Sequence, residues 1–179
     1  MRHLVKIACI IAFVASASAL AACELFMMPK EQKAALSSLI TSLKAAKSSI
    51  DIAIYSFTNR EIAKTLRDAA AKGVKVRVIY DESSNEPSNA NSTIGYLAKL
   101  KNIEVCTLKG NKAANGKYFG IMHMKVAIVD DSTLFIGSAN WSKNAFENNY
   151  ETLLRTTEAA LVSKSKAPLA DMRAKCREY

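Results

Sequence analysis

The sequence predicts an α/β fold in which helices cover both faces of a mostly parallel or mixed β-sheet. Segments with apolar residues at helical spacing alternate along the chain with short runs of β-branched residues. The chain has 179 residues, of which 50% are hydrophobic, so one domain with a sizeable core is expected. No segment repeats along the chain. We therefore expect a single α/β/α sandwich.

Each element follows from local signals. Thr58 and Glu61 have the spacing of a capping box, which predicts the start of a helix that ends at Gly73. Pro168 is expected to interrupt the last helix. Polar loops are expected at 81–92 and at 109–120, the latter rich in glycine, asparagine and lysine. In chain order, the predicted elements are a helix at 29–48, a strand at 50–57, a helix at 58–73, a strand at 74–80, a helix at 93–100, a strand at 103–106, a hairpin at 123–140, a strand at 150–155 and a helix at 158–178.

Residues 1–22 have the pattern of an export signal, which leaves one domain at 23–179. Arg2 and Lys6 precede an apolar run at 7–13, and small residues follow it. This run is too short and too rich in alanine to predict a membrane span. The chain is therefore expected to be exported to the periplasm or the cell envelope.

Three fates of this segment remain open. Residues 17–19 fit an ordinary signal-peptidase site, whereas residues 20–23 resemble a bacterial lipobox, in which Cys23 becomes lipidated. An uncleaved anchor is the third possibility. We favour the lipobox, because a cysteine after small residues has little other role at this place. Two of the three fates attach the domain to a membrane.

The charge of the chain favours a polyanionic partner. The formal net charge is +9, and loss of Arg2 and Lys6 with the export segment leaves +7. A basic exported domain suits nucleic acid or an anionic lipid surface.

The most informative residues lie in the predicted hairpin. His123 is the one histidine after the export segment, and Lys125 follows two residues later. Alternate side chains of a strand share a face, so the imidazole and the ammonium point the same way. Such a pair suits chemistry on a phosphate, because the imidazole can attack or move a proton while the cation neutralises oxygen charge. Ser138 and Asn140 follow in a turn at the strand end, where ligands commonly bind.

The order His-x-Lys, four residues, Asp130, six residues and Gly137-Ser138-x-Asn140 resembles the signature of the phospholipase D superfamily. Six specified residues at about 5% each match by chance at a given start about once in 10⁷ to 10⁸. The resemblance extends to residues 50–57, 73–81 and 148–151. The small size and single motif are most similar to the short bacterial endonucleases of that superfamily.

The resemblance implies a homodimer. In-line cleavage through a covalent intermediate requires a nucleophile on one side of phosphorus and an acid on the other, and this chain has one motif. A two-fold axis would bring both copies of His123 into a single site. One copy would form a phosphohistidine, and the other would protonate the leaving oxygen and then activate water.

The resemblance also implies roles for the remaining motif residues. Lys125, Ser138 and Asn140 would hold the phosphate oxygens, and Glu151 would accept a hydrogen bond from the imidazole and fix its tautomer. Asp130 belongs to the motif and is included among the catalytic candidates, although its place at the hairpin turn suggests a structural role. No cofactor or metal is expected, because the chain has no cluster of ligands suited to one.

Three hypotheses for function remain open: an endonuclease on DNA, with RNA as an additional substrate, a phospholipase on an anionic lipid such as cardiolipin, and a surface protein that binds DNA without cutting it. We favour the nuclease, because no long apolar loop near His123 suits acyl chains. Lysines would contact the backbone and aromatic rings would stack on bases of a single strand. These substrate-binding candidates are Lys109, Lys112, Lys117, Tyr118 and Phe119.

Two cysteines are candidates for a disulfide. Cys106 and Cys176 remain once the export segment and Cys23 are set aside, and an oxidising compartment would favour their pairing. Two buried thiols are the alternative, because the sequence does not supply the geometry.

Overall fold

The computed structural model describes residues 22–85 and 89–179, so the predicted export segment lies outside the described residues except for Ala22. The strands are β1 (Cys23–Met28), β2 (Ser49–Ile54), β3 (Lys75–Asp81), β4 (Ile103–Lys112), β5 (Phe119–Ile121), β6 (Lys125–Val129), β7 (Thr133–Gly137), β8 (Glu151–Thr156) and β9 (Arg177–Glu178). The helices are α1 (Gln32–Ala45), α2 (Arg60–Ala71), α3 (Ile94–Leu97), α4 (Lys143–Glu147) and α5 (Ala159–Lys175). None of these helices has the length and apolar character that a membrane span requires.

The described strands form one mixed sheet, in the order β1-β8-β7-β6-β2-β3-β4-β5, with β9 beside β4. The α/β fold with a mixed sheet is confirmed. The alternative of a mostly parallel sheet is wrong, because among the described strands only β2 with β3 and β3 with β4 pair in parallel. The other pairs are antiparallel. The motif hairpin places β6 beside β2 and β7 beside β6, β8 and β1 follow at that side, and β5 and β9 pair with β4.

Helices cover both faces of the sheet. Along β6, Ala127 and Val129 belong to the core shared with α1, α2 and α4, whereas Val126 and Ile128 pack with residues of α5. This alternation is the period-two pattern of a strand buried on both sides. Burial of each such side chain contributes about 1.5–3 kcal/mol. All five residues of β6 are therefore buried, and this strand offers a rigid support for a site.

Local details differ from the sequence prediction at two helices. Asn59, rather than Thr58, caps α2, because its Oδ1 accepts hydrogen bonds from the backbone N–H of Glu61 at 2.9 Å and of Ile62 at 3.1 Å. Helix α5 continues through Pro168 instead of breaking there. Val162 and Leu169 of this helix are buried against the sheet, and their packing offsets the backbone hydrogen bond that a proline removes. Strand β1 was missed altogether.

The stretch predicted as a loop at 109–120 is largely a β-hairpin. Strand β4 continues to Lys112 and pairs with β5 through Lys109 opposite Ile121 and Lys112 opposite Phe119. A Cβ on Gly110 would lie 2.4 Å from the carbonyl carbon of Gly120, so the close approach of the two strands requires glycine. The glycines that suggested a loop instead permit this pairing.

Cys106 and Cys176 form a disulfide in the structure, with a Cα–Cα distance of 5.7 Å. The bond joins β4 to the residue that follows α5, and β9 then pairs with β4. The end of the chain is thus attached to the sheet by both covalent and hydrogen bonds.

Candidate active site

Four strands meet at one edge of the sheet. Strands β2 and β7 end there, whereas β6 and β8 begin there, because β6 and β8 run antiparallel to those two neighbours. His123 and Lys125 lie at the start of β6, and Ser138 follows the end of β7. The carboxyl ends of parallel strands are where ligands commonly bind in α/β sheets. The topology therefore brings the predicted site residues together without any long flexible segment.

His123 and Lys125 are in direct contact. The Lys125 Nζ lies 3.0 Å from His123 Nε2 and donates to the His123 carbonyl oxygen, also at 3.0 Å. An ammonium can only donate, so a charged lysine implies that Nε2 is the unprotonated ring nitrogen. Lys125 is 5% exposed, whereas His123 is exposed. The nucleophilic lone pair thus lies beside a fixed cation at an open surface.

Burial changes the behaviour of this lysine. It lowers the pKa of the Lys125 ammonium below its ordinary value, and the nearby Glu151 carboxylate opposes that shift only in part. A buried cation with few partners is costly for folding. Such a group gains when a phosphate supplies the missing negative charge, which is the arrangement that an anion site requires.

Tyr55, which the sequence analysis did not single out, completes the surroundings of the pair. Its ring packs edge-on against the His123 ring, with centroids 4.5 Å apart, and lies 5.1 Å from Lys125 Nζ. These contacts orient the imidazole and place the cation over an aromatic face. Tyr55 is the residue just beyond β2, so its place at the strand end was the available signal.

Ser138 and Glu151 form a second polar pair at the same edge. The Ser138 hydroxyl donates to Glu151 Oε2 and accepts from the backbone N–H of Thr152 at 3.0 Å. A Cβ on Gly137 would lie 2.1 Å from the Thr152 carbonyl oxygen. Only glycine allows β7 to approach β8 this closely, which explains the glycine of the motif in structural terms.

The expected hydrogen bond from His123 to Glu151 is not present among the described residues. The Glu151 carboxylate instead accepts from Ser138 on one oxygen and from Asn149 Nδ2, at 3.3 Å, on the other. In this chain, Glu151 therefore fixes the turn after β7 rather than the imidazole tautomer. Its charge still acts on Lys125 through space.

Asn140 lies where this turn meets the end of β2. Its Oδ1 is buried and has no hydrogen-bond partner among the described residues. The next residue, Trp141, donates its backbone N–H to Ser56 and accepts from Thr58 and Asn59 through its carbonyl oxygen. The turn is thus bonded to the start of α2, which holds Asn140 in place at the edge of the site.

Asp130 lies outside the site. It follows β6 at the opposite end from Lys125, and its carboxylate accepts the backbone N–H groups of residues 47–49 at 2.7–3.0 Å. Burial alone would raise the pKa of this carboxyl, but the hydrogen bonds outweigh burial and hold the pKa below its ordinary value. The catalytic assignment is corrected accordingly. The motif aspartate fixes the chain where it enters β2.

Asp81 is a positioning residue that the sequence analysis missed. It is 1% exposed, and its Oδ2 accepts the backbone N–H of Met122 at 2.8 Å, directly before His123. Its other oxygen accepts from Ser83 and Ser84. A buried carboxylate with such partners fixes the backbone that presents the imidazole. Its location at the end of β3 was the only hint that the sequence offered.

The substrate-binding candidates lie on the β4–β5 hairpin, which leads directly into His123. Two of its rings are exposed, Tyr118 at 63% and Phe119 at 52%. Lys109 is partly engaged, since its Nζ lies 3.3 Å from Glu82 and 5.5 Å from the Phe119 ring centroid. Lys112 and Lys117 are exposed, like the two rings. Their contact with substrate stays a prediction.

Cys23, the lipidation candidate, lies at the other end of the sheet. It is exposed and free, and it opens β1 opposite Thr156, whereas Met28 at the far end of β1 pairs with Glu151. Five residues of strand, about 17 Å, separate the two ends. Within the described residues, no group of three His, Cys, Asp or Glu side chains is arranged to hold a metal ion.

Comparison with known proteins identifies this arrangement. Residues 39–172 match the family model described as "Cardiolipin synthase, PLD-like domain". The structure is similar to that of NucT from Helicobacter pylori, with 52% identity and a TM-score of 0.86 over 89% of this chain and 99% of the other. It is also similar to Nuc from Salmonella typhimurium, a phospholipase D family member, with 27% identity and a TM-score of 0.73 over 89% and 98% of the two chains.

Curated relatives include the mitochondrial cardiolipin hydrolases of human and mouse. They are 32% and 33% identical over 70% and 68% of this chain, but the match covers only 46% and 50% of their own length. The chain thus spans about half the length of these relatives. The motif, the fold and these matches agree, and the chain belongs to the phospholipase D-like family of phosphodiester hydrolases.

Proposed function

We propose that this protein is a metal-independent endonuclease that cleaves nucleic acid through a phosphohistidine in a homodimeric active site. The observation that carries the proposal is the contact between Lys125 Nζ and His123 Nε2 at an open edge of the sheet. It joins an unprotonated ring nitrogen to a buried cation that lacks a full counter-charge. Both groups are suited to attack on a phosphodiester.

The proposed reaction has two steps. His123 Nε2 attacks phosphorus, a P–N bond forms, and the P–O bond to the leaving strand breaks while the partner's His123 donates a proton to that oxygen. The same histidine of the partner then takes a proton from water, whose oxygen attacks phosphorus and breaks the P–N bond. Lys125 neutralises the charge that develops on the phosphate oxygens. The Ser138 and Asn140 side chains, at the same edge, would orient the phosphate.

The exposure of the site supports a dimer. His123 is exposed, and Tyr150, directly before Glu151, is 95% exposed. Tyrosine is enriched where proteins meet, so an exposed ring beside the site is in keeping with a partner at this edge. A two-fold axis beside His123 would cover this edge and supply the second imidazole that the reaction needs.

Two arguments favour nucleic acid as the substrate, whereas the net charge of +9 suits nucleic acid and an anionic lipid alike. The match to NucT covers nearly all of both chains at 52% identity, in accord with the small bacterial endonucleases that the motif resembles. Finally, an anchor at Cys23 would hold the opposite end of the sheet at the membrane, so the His123 edge would face away from the lipid. This orientation suits a soluble strand better than a phospholipid of the same membrane.

Hydrolysis of an anionic phospholipid is the second candidate. The relatives named mitochondrial cardiolipin hydrolase favour it. So do the exposed apolar side chains of the hairpin before His123, Tyr118, Phe119 and Ile121, which the sequence analysis did not recognise as an apolar surface. The chemistry at phosphorus would be the same.

The deciding experiment incubates the detergent-purified chain with single-stranded DNA, double-stranded DNA, RNA and cardiolipin vesicles in excess EDTA. Cleavage of a nucleic acid that is lost in His123→Ala would support the proposal. Turnover of cardiolipin without cleavage of any nucleic acid would replace it with the second candidate.

The dimeric site is tested by mixing subunits. Co-expression of wild-type chains with an excess of His123→Ala chains should remove nearly all activity, because mixed dimers contain a single imidazole. Activity in proportion to the wild-type fraction would show that each chain acts alone.

A further inference from the structure

A basic pocket lies between α2 and α3, and His123 is not among the residues that line it. Its volume is about 450 Å³, which is within the range of ligand pockets. Three cations of α2 line it, Arg60, Lys64 and Arg67, at positions that share one helix face. The described residues that line it include no carboxylate. Tyr96, 41% exposed, forms the opposite wall.

Within the part of the chain that the structure describes, two of the three cations of this pocket have no acidic partner. Arg67 pairs with Asp68 at 2.7 Å, but Arg60 and Lys64 have no acidic partner within 4.0 Å among the described residues. Both side chains are exposed. Two adjacent cations of this kind attract a polyanion.

A second pocket, between α5 and the sheet, shows the contrast. It is also lined by three cations, but each has its own carboxylate. The pairs are Arg77 with Asp51, Lys166 with Asp131, and Arg173 with Glu104. Neutralised charges hold the structure together, so the pocket beside α2 is the one that is suited to an anion.

The basic pocket is connected to the active-site edge by backbone hydrogen bonds. Thr93 in its wall donates its N–H to the Phe57 carbonyl oxygen at 3.0 Å. The next two residues, Thr58 and Asn59, donate to the carbonyl oxygen of Trp141, which follows Asn140. Arg60 is thus one residue from a segment bonded to the site. Arg60 and Arg67 are about 10 Å apart along the helix axis.

We propose that this pocket binds the phosphate backbone of a single-stranded nucleic acid whose scissile phosphate lies at His123. Arg60 and Lys64 contact phosphates on one side of the cleavage point, and Tyr96 offers a ring for a base. The strand leaves the active site along α2. The proposal rests on the proposed function for the identity of the strand, but its binding test does not require cleavage.

The test uses Arg60→Gln combined with Lys64→Gln in the full chain. The matched control is Lys164→Gln combined with Lys175→Gln, which removes the same charge from exposed positions on α5, across the sheet. Two substrates are compared: bis(p-nitrophenyl) phosphate, which fits the site alone, and an oligothymidylate long enough to reach the pocket. Each is measured over a range of salt concentrations.

For the α2 pair, we expect unchanged hydrolysis of the small diester and a rise of about tenfold in KM for the oligothymidylate at low salt. The slope of log kcat/KM against log salt should become shallower by about 1.4, since each phosphate contact on a single strand contributes about 0.7. The control pair should change neither quantity. Equal effects of the two pairs, or no effect of the α2 pair, would overturn the proposal.

If wild type cleaves no oligonucleotide, the proposed function fails, and fluorescence anisotropy of labelled oligothymidylate still tests the pocket. Weaker binding by the α2 pair than by the control pair would support the pocket. Equal binding by the two pairs of variants would overturn the proposal that this pocket binds nucleic acid.

Discussion

The two ends of β6 hold residues of the same motif in opposite situations. At one end, Lys125 is buried, has a lowered pKa and contacts an exposed His123. At the other end, Asp130 has its carboxylate occupied by backbone N–H groups of residues 47–49, and its pKa is also lowered. Among the described residues, no carboxylate forms an ion pair with the lysine, whereas the aspartate accepts hydrogen bonds from three consecutive backbone N–H groups.

This difference indicates how one short motif serves two purposes. The Asp130 end stabilises the fold by fixing the chain at the start of β2, the strand that pairs with β6. At the Lys125 end, burial of the cation lowers the stability of the fold. A phosphate bound beside the lysine would supply the negative charge that the buried cation needs. Substitutions at the two ends should therefore separate activity from stability.

The largest effect is expected from His123→Ala. It removes the proposed nucleophile and acid, so kcat/KM for single-stranded DNA should fall by about 10⁴-fold or more. The free energy of unfolding should change by less than ~1 kcal/mol, because the side chain is exposed and its described contacts are those with Tyr55 and with Lys125 Nζ. Cleavage assays in excess EDTA and chemical unfolding measure the two. Retention of substantial activity would exclude the phosphohistidine route.

Lys125→Met should give the second largest loss of activity, together with a gain in stability. We expect kcat/KM to fall by about 10²–10³-fold, since the cation beside the phosphate is lost. Stability should rise by about 1 kcal/mol, because methionine fills the space without a buried charge. Lower activity together with lower stability would contradict the idea that the buried charge at this end of β6 reduces stability and serves function.

Asp130→Ala should show the reverse pattern. The loss of several backbone hydrogen bonds to a charged acceptor should lower the free energy of unfolding by about 2–4 kcal/mol, with kcat/KM of the folded protein unchanged within about twofold. Asp131→Asn is a matched control, because the neighbouring residue has a similar φ of 55° and makes only an exposed ion pair with Lys166. That control should cost less than ~1 kcal/mol. A fall in kcat/KM in Asp130→Ala but not in Asp131→Asn would mean that Asp130 belongs to the active site.

The role of Asp130 also shows what the sequence could and could not predict. Its position at the hairpin turn suggested a structural function, yet its partners are more than eighty residues earlier in the chain, which local patterns do not reveal. The same limit applies to Asp81, because its hydrogen bond with Met122 joins residues that are far apart in the chain. Motif residues that lie close in sequence were predictable, and long-range partners were not.

Secondary structure followed the same division. The strands with two buried faces, such as β3 and β6, were predicted because apolar runs specify them. Strand β1 and the β4–β5 hairpin were missed, since most of their residues are exposed and pairing with a neighbour, rather than local preference, makes them strands. Whether a segment at the edge of a sheet forms a strand depends on the neighbouring strand, and the topology of the fold decides which strands are neighbours.

The smallest expected effect is the pH dependence of the Asp130 contribution. A carboxyl with a lowered pKa in the folded state stabilises the fold above its ordinary value of 3.8 and loses that stabilisation as the pH falls through its folded pKa. The stability difference between wild type and Asp130→Asn should thus be constant near neutral pH. It should shrink by on the order of 1 kcal/mol as the pH falls below about 4, where partial exposure limits the size of the effect.

Urea unfolding of both proteins over this pH range measures the difference, and Asp131→Asn provides the comparison. The Asp131 carboxylate makes an exposed ion pair with Lys166, so Asp131→Asn controls for the loss of a surface charge at this turn. A difference between wild type and Asp130→Asn that stays constant over the whole pH range would mean that shape, not charge, fixes this end of β6. The contrast between the two ends would then rest on the buried lysine alone.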